Sequence, residues 1–266
     1  MAHEPASQGE ARPTHEDRLR RLHLGEEMDL AVSAVRSGLA LLQMGRPHER
    51  QHFLFLLVLS VGIERYLKVV LCIHEYDRTR TFPSPKALRK LSHDLERLTQ
   101  ELLRVGYETR TDLPPALQAD RTFLTSDPLL RNVLSVLSDF ATRDRYLFMD
   151  GMHEPDSTRE WMNRRWETEV DNVANTEAER RAFAEEQDVS EMGRKLDALV
   201  ATSNERVVAC LERFCRAVGR TITHTNLGAD AKSLGADVFS FVPIRDDELG
   251  KRTYNVINSR ASEDWR

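Results

Sequence analysis

FLFLLVLSVGIERYLKVVLCIHEY, residues Phe53–Tyr76, decides how the chain folds. Only Ser60 and Gly62 break the apolar run from Phe53 to Ile63. Wound as a helix, the segment is apolar nearly all round, the mark of a helix buried on every side. One narrow stripe is polar: Ser60, Glu64 and Lys68 follow at four-residue steps and stack on one face. The remaining apolar patterns read as helices wrapped around this one. The expected fold is therefore mainly α, a helical bundle around a central buried helix at 53–76.

Working outward, residues 1–13 are rich in glycine, proline and charge and are expected to be disordered. A helix begins near Thr14, with Gly25 leaving open either an interruption or a continuous run, and ends at Gly45-Arg46-Pro47. Beyond the central helix, Ser84-Pro85 is an N-cap followed by a first-turn proline. Leu88, Leu91, Leu95, Leu98 and Leu102 then alternate in steps of three and four, predicting one continuous helix that stops at Gly106. A short helix is expected after Pro114-Pro115. Ser126-Asp127-Pro128 caps the next, carried by Leu130, Val133, Leu134, Leu137 and Phe140. Trp161, Trp166 and Val170 mark a further helix, and a long one is predicted from about Val189 to Thr221. These helices form one bundle domain, 14–223. In the appendage 224–266, the β-like runs Val238–Ile244 and Arg252–Ile257 allow a hairpin, with Pro243 confining its strand to an edge.

Composition narrows the function classes. The chain has 266 residues, 30% of them charged, and a net charge of -5, a balance unlike that of a protein that coats nucleic acid non-specifically. The Phe53 run is too short for a bilayer, and Glu64, Arg65 and Lys68 follow it directly, so no membrane partner is expected. Cys72, Cys210 and Cys215 sit in apolar helical patterns without metal-ligand spacing, which predicts core thiols in a reducing compartment, the cytoplasm. No phosphate-binding glycine loop, zinc spacing or nucleophile elbow is present, so neither a metal nor another cofactor is expected.

Three polar constellations remain. Charges on so apolar a helix need partners, so Glu64 and Lys68 are either an internal ion pair or one wall of a polar pocket. His93, beside Asp94, falls opposite the leucine stripe among Arg89, Lys90 and Arg97. It is expected to face solvent, and to serve as an acid or base only if another element covers it. Arg143, Arg145, Tyr146 and Asp150 crowd one helix-to-loop junction, with His153 close by. Arginines there either complement the negative helix end or grip phosphate, with Tyr146 available for stacking.

The phrases GIERYLKVVL, KLSHDLERL and LSDFATRDRYLFMDGM resemble bacterial helical proteins of the HEPN type, over about residues 25 to 220. The likeness lies in Glu64, Leu67 and Lys68, in His93-Asp94-Leu95, and in Arg145-Tyr146. The resemblance implies a bundle of four or more helices, often dimeric, in a family that includes ribonucleases of defence systems, nucleotide binders and inactive members. Its nucleases carry a closely spaced arginine–histidine pair near the start of a late helix. Arg46 with His52 and Arg18 with His23 have such spacing early in the chain, whereas seven residues separate Arg145 from His153. The expected function is a binding or assembly module, with RNA, a nucleotide or a second copy of the chain as candidate partners. Its ligand would be held by Glu64, Lys68, Asp94, Arg143, Arg145, Tyr146 and Asp150. The alternatives are an unusual RNase using His93 or His153 as acid–base with Arg145 on the phosphate, or a structural dimer with no ligand.

Overall fold

The computed structural model describes residues 14–44, 51–108, 112–144, 162–223 and 240–255. They form a mainly α bundle. Its elements are α1 (His15–Met44), α2 (Gln51–Thr79), α3 (Pro85–Lys90), α4 (Leu95–Leu103), α5 (Pro115–Ser126), α6 (Pro128–Asp139), α7 (Met162–Arg165), α8 (Asn172–Ala174), α9 (Glu177–Ala184) and α10 (Val189–Thr223). Wider π-helical turns extend α4 over Arg104–Glu108 and α6 over Phe140–Asp144, and join α7 to α8 over Trp166–Asp171.

The central helix sits where its composition demands. Phe55, Leu56, Leu59, Ile63, Tyr66, Leu67, Val70 and Ile73 are buried in one continuous core. One edge escapes: Leu54 is 46% exposed, and Leu57 and Leu71 are only partly buried. The helix is thus enclosed on all but a narrow strip rather than on every side.

Helix α1 runs antiparallel to α2, because the contacts Gly38–Leu59, Gly62–Val35 and Glu27–Arg65 climb one helix while descending the other. The two glycines permit the closeness. A Cβ on Gly62 would lie 2.7 Å from the Val35 backbone nitrogen, and one on Gly38 would lie 2.6 Å from the Leu59 side chain. The stop expected at Gly106 is absent, and so is the interruption that Gly25 left open. Helix α1 passes through Gly25 without interruption, and the helix after α4 runs beyond Gly106 to Glu108. Gly106 lies against Thr221, whereas Gly25 stays helical with nothing within 4 Å of its would-be Cβ.

Helix α10 closes the bundle from the other side. It packs on α1, α2, α5 and α6. Two buried tyrosines tie it in: Tyr66 donates to the Cys215 carbonyl at 3.2 Å and Tyr107 to the Ala217 carbonyl at 3.0 Å. Trp166 fills the remaining gap, its ring 4.8 Å from Phe55 at an interplanar angle of 71°, an edge-on contact. Cys72, Cys210 and Cys215 are free and buried.

Two further expectations are corrected. The leucine stripe is not one helix: α3 ends at Lys90, and the chain breaks over 91–94 with Ser92 at φ 64° before α4 begins. Asp94 causes the restart by accepting from the Arg97 amide at 3.0 Å, while Ser138 on α6 accepts from the Leu95 amide at 2.6 Å. Leu95, Leu98 and Leu102 are fully buried, whereas Leu91 is only partly so. The described part of the C-terminal segment, 240–255, is a run of turns with no strand. Phe241 and Ile244, three apart, are both buried, which is not the alternation of a strand. Its backbone groups are spent on side chains instead: the Ile244 carbonyl on Arg216 at 2.6 Å, and the Gly250 amide on Glu212 at 2.6 Å.

Candidate functional site

Glu64 is the centre of the polar seam. Its side chain is 12% exposed, and both oxygens are engaged. One accepts from Lys68 at 2.7 Å, one helical turn on. The other lies 2.9 Å from His93 Nδ1. Ser60, the third member of the stripe, turns back to the Leu57 carbonyl at 3.0 Å and takes no part. So the stripe is neither a closed ion pair nor an isolated one; a histidine from another element completes it.

The break between α3 and α4 makes this meeting possible. On a continuous helix His93 would point away from the leucine stripe. In the break it reaches α2 while remaining 55% exposed. The carboxylate fixes one ring nitrogen and with it the plane of the ring, which leaves Nε2 outside the bond. An oriented imidazole of this kind can accept or deliver a proton, or hydrogen-bond an anionic ligand.

Asp94 continues the seam toward α6. Besides capping α4, its Oδ1 accepts from Ser138 Oγ at 3.3 Å. Ser138 also accepts from the Glu96 amide at 3.3 Å. Burial raises the Glu96 carboxyl from its ordinary value, with Asp94 adding to the effect. The next residue, Asp139, pairs with Arg143 one turn on and with Arg165 of α7 at 2.6 Å, and Arg165 also holds Glu169 at 2.7 Å. Arg143 is mostly exposed. The structure thus brings Glu64, Lys68, His93 and Asp94 together at one junction, while Arg143 pairs with Asp139 at the end of α6. Arg145, Tyr146, Asp150 and His153 lie outside the described residues.

Sequence reasoning passed over Ser138, Asp139 and Arg165. Ser138-Asp139 interrupts the apolar stripe of α6 at its last turn, which was a readable signal. Arg165 had none, because its role depends on α7 lying beside α6.

Other buried polar groups serve the scaffold. Asp120 accepts from Arg220 at 3.1 Å; burial raises its carboxyl and the guanidinium opposes that rise. His74 Nε2 is buried with no hydrogen-bond partner among the described residues. Burial pulls this imidazole from 6.5 down to about 4, against the opposing pull of Asp77. Burial also raises Glu212, although Tyr254 and Gly250 donate to it. Among the described residues no group of three or more His, Cys, Asp or Glu side chains could hold a metal ion, and no helix is long and apolar enough to cross a membrane. No protein-family model matches the chain, and neither a curated protein nor a solved structure does so.

Proposed function

We propose that the chain is a HEPN-like helical binding module that takes a phosphate-bearing ligand, RNA or a nucleotide, at the His93 seam. The observation that carries this reading is the Glu64 carboxylate held between Lys68 and His93 Nδ1. It orients an exposed imidazole next to a cation. The three buried free thiols suit a reducing compartment, and we assign the module to the cytoplasm.

The test is titration of the purified full chain with short single-stranded RNAs and with common nucleotides at two salt concentrations. Wild type is expected to bind at least one of them, less tightly in the higher salt. His93→Ala is expected to weaken binding about tenfold, as loss of a charge-assisted hydrogen bond would. Glu64→Gln should weaken it less, because the ring keeps its place but not its fixed tautomer. Binding of none of these ligands, or unchanged binding by His93→Ala, overturns the reading.

The same carboxylate–imidazole pairing favours a second reading, an unusual RNase with His93 as acid–base. Cleavage of the same RNAs by wild type and not by His93→Ala would decide for it. Leu19, Leu22 and Leu30, all exposed within one arc of α1, favour assembly with a second copy. Sedimentation of wild type against Leu22→Glu tests that reading.

A further inference from the structure

Arg213, Arg216 and Arg220 follow on α10 at steps of three and four and therefore share one face of the helix. That face meets α5 through Phe123 and Asp120, and the C-terminal segment through Ile244 and Asp246. Guanidiniums set in one row repel one another, so the row needs counter-charge. Two carboxylates supply part of it. Asp120 is buried and accepts from Arg220 Nη1 with both oxygens, at 3.1 and 3.2 Å. Asp246 accepts from Arg216 Nη2 with one oxygen, while its side chain stays 87% exposed. All three arginines act on both carboxyls. They oppose the rise that burial gives Asp120, and they add to the hydrogen bond from Arg216 that lowers Asp246.

The row is left short of acceptors. Arg216 is 3% exposed, yet its Nε is buried with no hydrogen-bond partner among the described residues. Arg213 is half-buried with its guanidinium 4.2 Å over the Phe123 ring, and it makes no hydrogen bond or ion pair among the described residues. The ring holds the guanidinium in place and leaves its N–H donors unused. Polar groups kept in this state inside a protein call for a bound partner. The charges say of what kind. Set against three guanidiniums, the buried Asp120 leaves two positive charges, and Asp246 answers only one of them. Its neighbours Asp247 and Glu248 are engaged elsewhere, by Arg245 at 3.5 and 3.2 Å. A tetrahedral dianion would answer both charges and offers acceptors to more than one guanidinium.

We propose that this face of α10 binds a phosphate dianion, either inorganic phosphate or the terminal phosphate of a small phosphomonoester, between Arg213 and Arg216 in the place that Asp246 now takes. Asp246 is then a built-in competitor: an exposed carboxylate on a turn, which yields its position to a ligand of higher charge. None of the residues involved belongs to the His93 seam, and the two proposals stand or fall separately.

The experiment is calorimetric titration of the full chain, in chloride buffer of matched ionic strength, with inorganic phosphate and separately with ribose 5-phosphate. Saturable binding of at least one is expected, and the tighter of the two arms identifies the source. Arg213→Lys keeps the charge and loses the fork, and is expected to weaken binding about tenfold. Asp246→Asn keeps an acceptor for Arg216 and removes the competing charge, and is expected to tighten binding about fivefold. A loosened fold would weaken binding in both variants, so the opposite signs read the site itself. His93→Ala is expected to bind inorganic phosphate as wild type does. Absence of saturable binding by wild type, equal binding by wild type, Arg213→Lys and Asp246→Asn, or loss of phosphate binding in His93→Ala overturns the proposal.

Discussion

His74 shows what a single enclosed side chain can do to this molecule. It lies on α2 with a buried ring nitrogen near the point where Gly106 meets Thr221. Burial lowers it from 6.5 to about 4. In the unfolded chain it takes up a proton near its ordinary value, so between those two values the unfolded state binds more protons. Stability is therefore full above about pH 6.5 and is lost as pH falls toward 4. Denaturant melts at pH 7 and at about pH 4.5 should differ by about 2 kcal/mol more in wild type than in His74→Leu. Equal pH dependence in the two proteins would mean that the ring reaches water in the folded state. In hydrogen bonding the Glu64–Lys68–His93 group is the contrast to the unpartnered His74 nitrogen: each Glu64 oxygen has a lysine or imidazole partner.

At the scale of elements, the crossing of α1 and α2 depends on absent atoms. Gly62 lies so close to Val35 that an added Cβ would meet backbone, which cannot rotate aside as a side chain can. Gly62→Ala is expected to destabilise by roughly 1–3 kcal/mol, the usual cost of overpacking. Gly25, in the same antiparallel pair, has nothing within 4 Å of its would-be Cβ. Gly25→Ala should therefore stabilise by about 0.5–1 kcal/mol, through lower unfolded-state freedom and better helix propensity. The opposite signs, read in one series of chemical melts, test the packing directly; a stabilising Gly62→Ala would place the helices farther apart. The break between α3 and α4 belongs to this scale too. Asp94 and Ser138 together restart a helix that periodicity alone would have continued. That restart gives His93 its partner.

For the whole molecule, the C-terminal segment is held by charges buried in α10. Glu212 is fully buried and accepts from the Gly250 amide and Tyr254 hydroxyl, while Arg216 holds the Ile244 carbonyl and Asp246. Glu212→Ala leaves two enclosed donors without an acceptor and is expected to cost about 2 kcal/mol or more. Glu212→Gln should cost less, since an amide can accept from Gly250 and donate to the Tyr254 oxygen. Melts combined with limited proteolysis across 240–255 would check this; equal, small losses in both variants would show that the segment is held by Phe241 and Ile244 alone.

The amino-acid sequence by itself determined most of the helices and the identity of the central one, though not the break at 91–94. Hydrophobic period and caps are local properties, and Ser84, Asp127 and the stripe of α10 are legible without knowing what they touch. It also marked Glu64, Lys68, His93 and Asp94 as polar groups in need of partners. Tertiary structure decided which partners they found. His93 reaches Glu64 because Ser138, 44 residues beyond Asp94, helps end one helix and start another. The turns at 240–255 replace the hairpin because Glu212, Arg216 and Gln43 compete for backbone groups that a ladder would have used. Such contacts join residues distant in the chain, and no local period encodes them; they exist only once packing has brought the elements within hydrogen-bond reach.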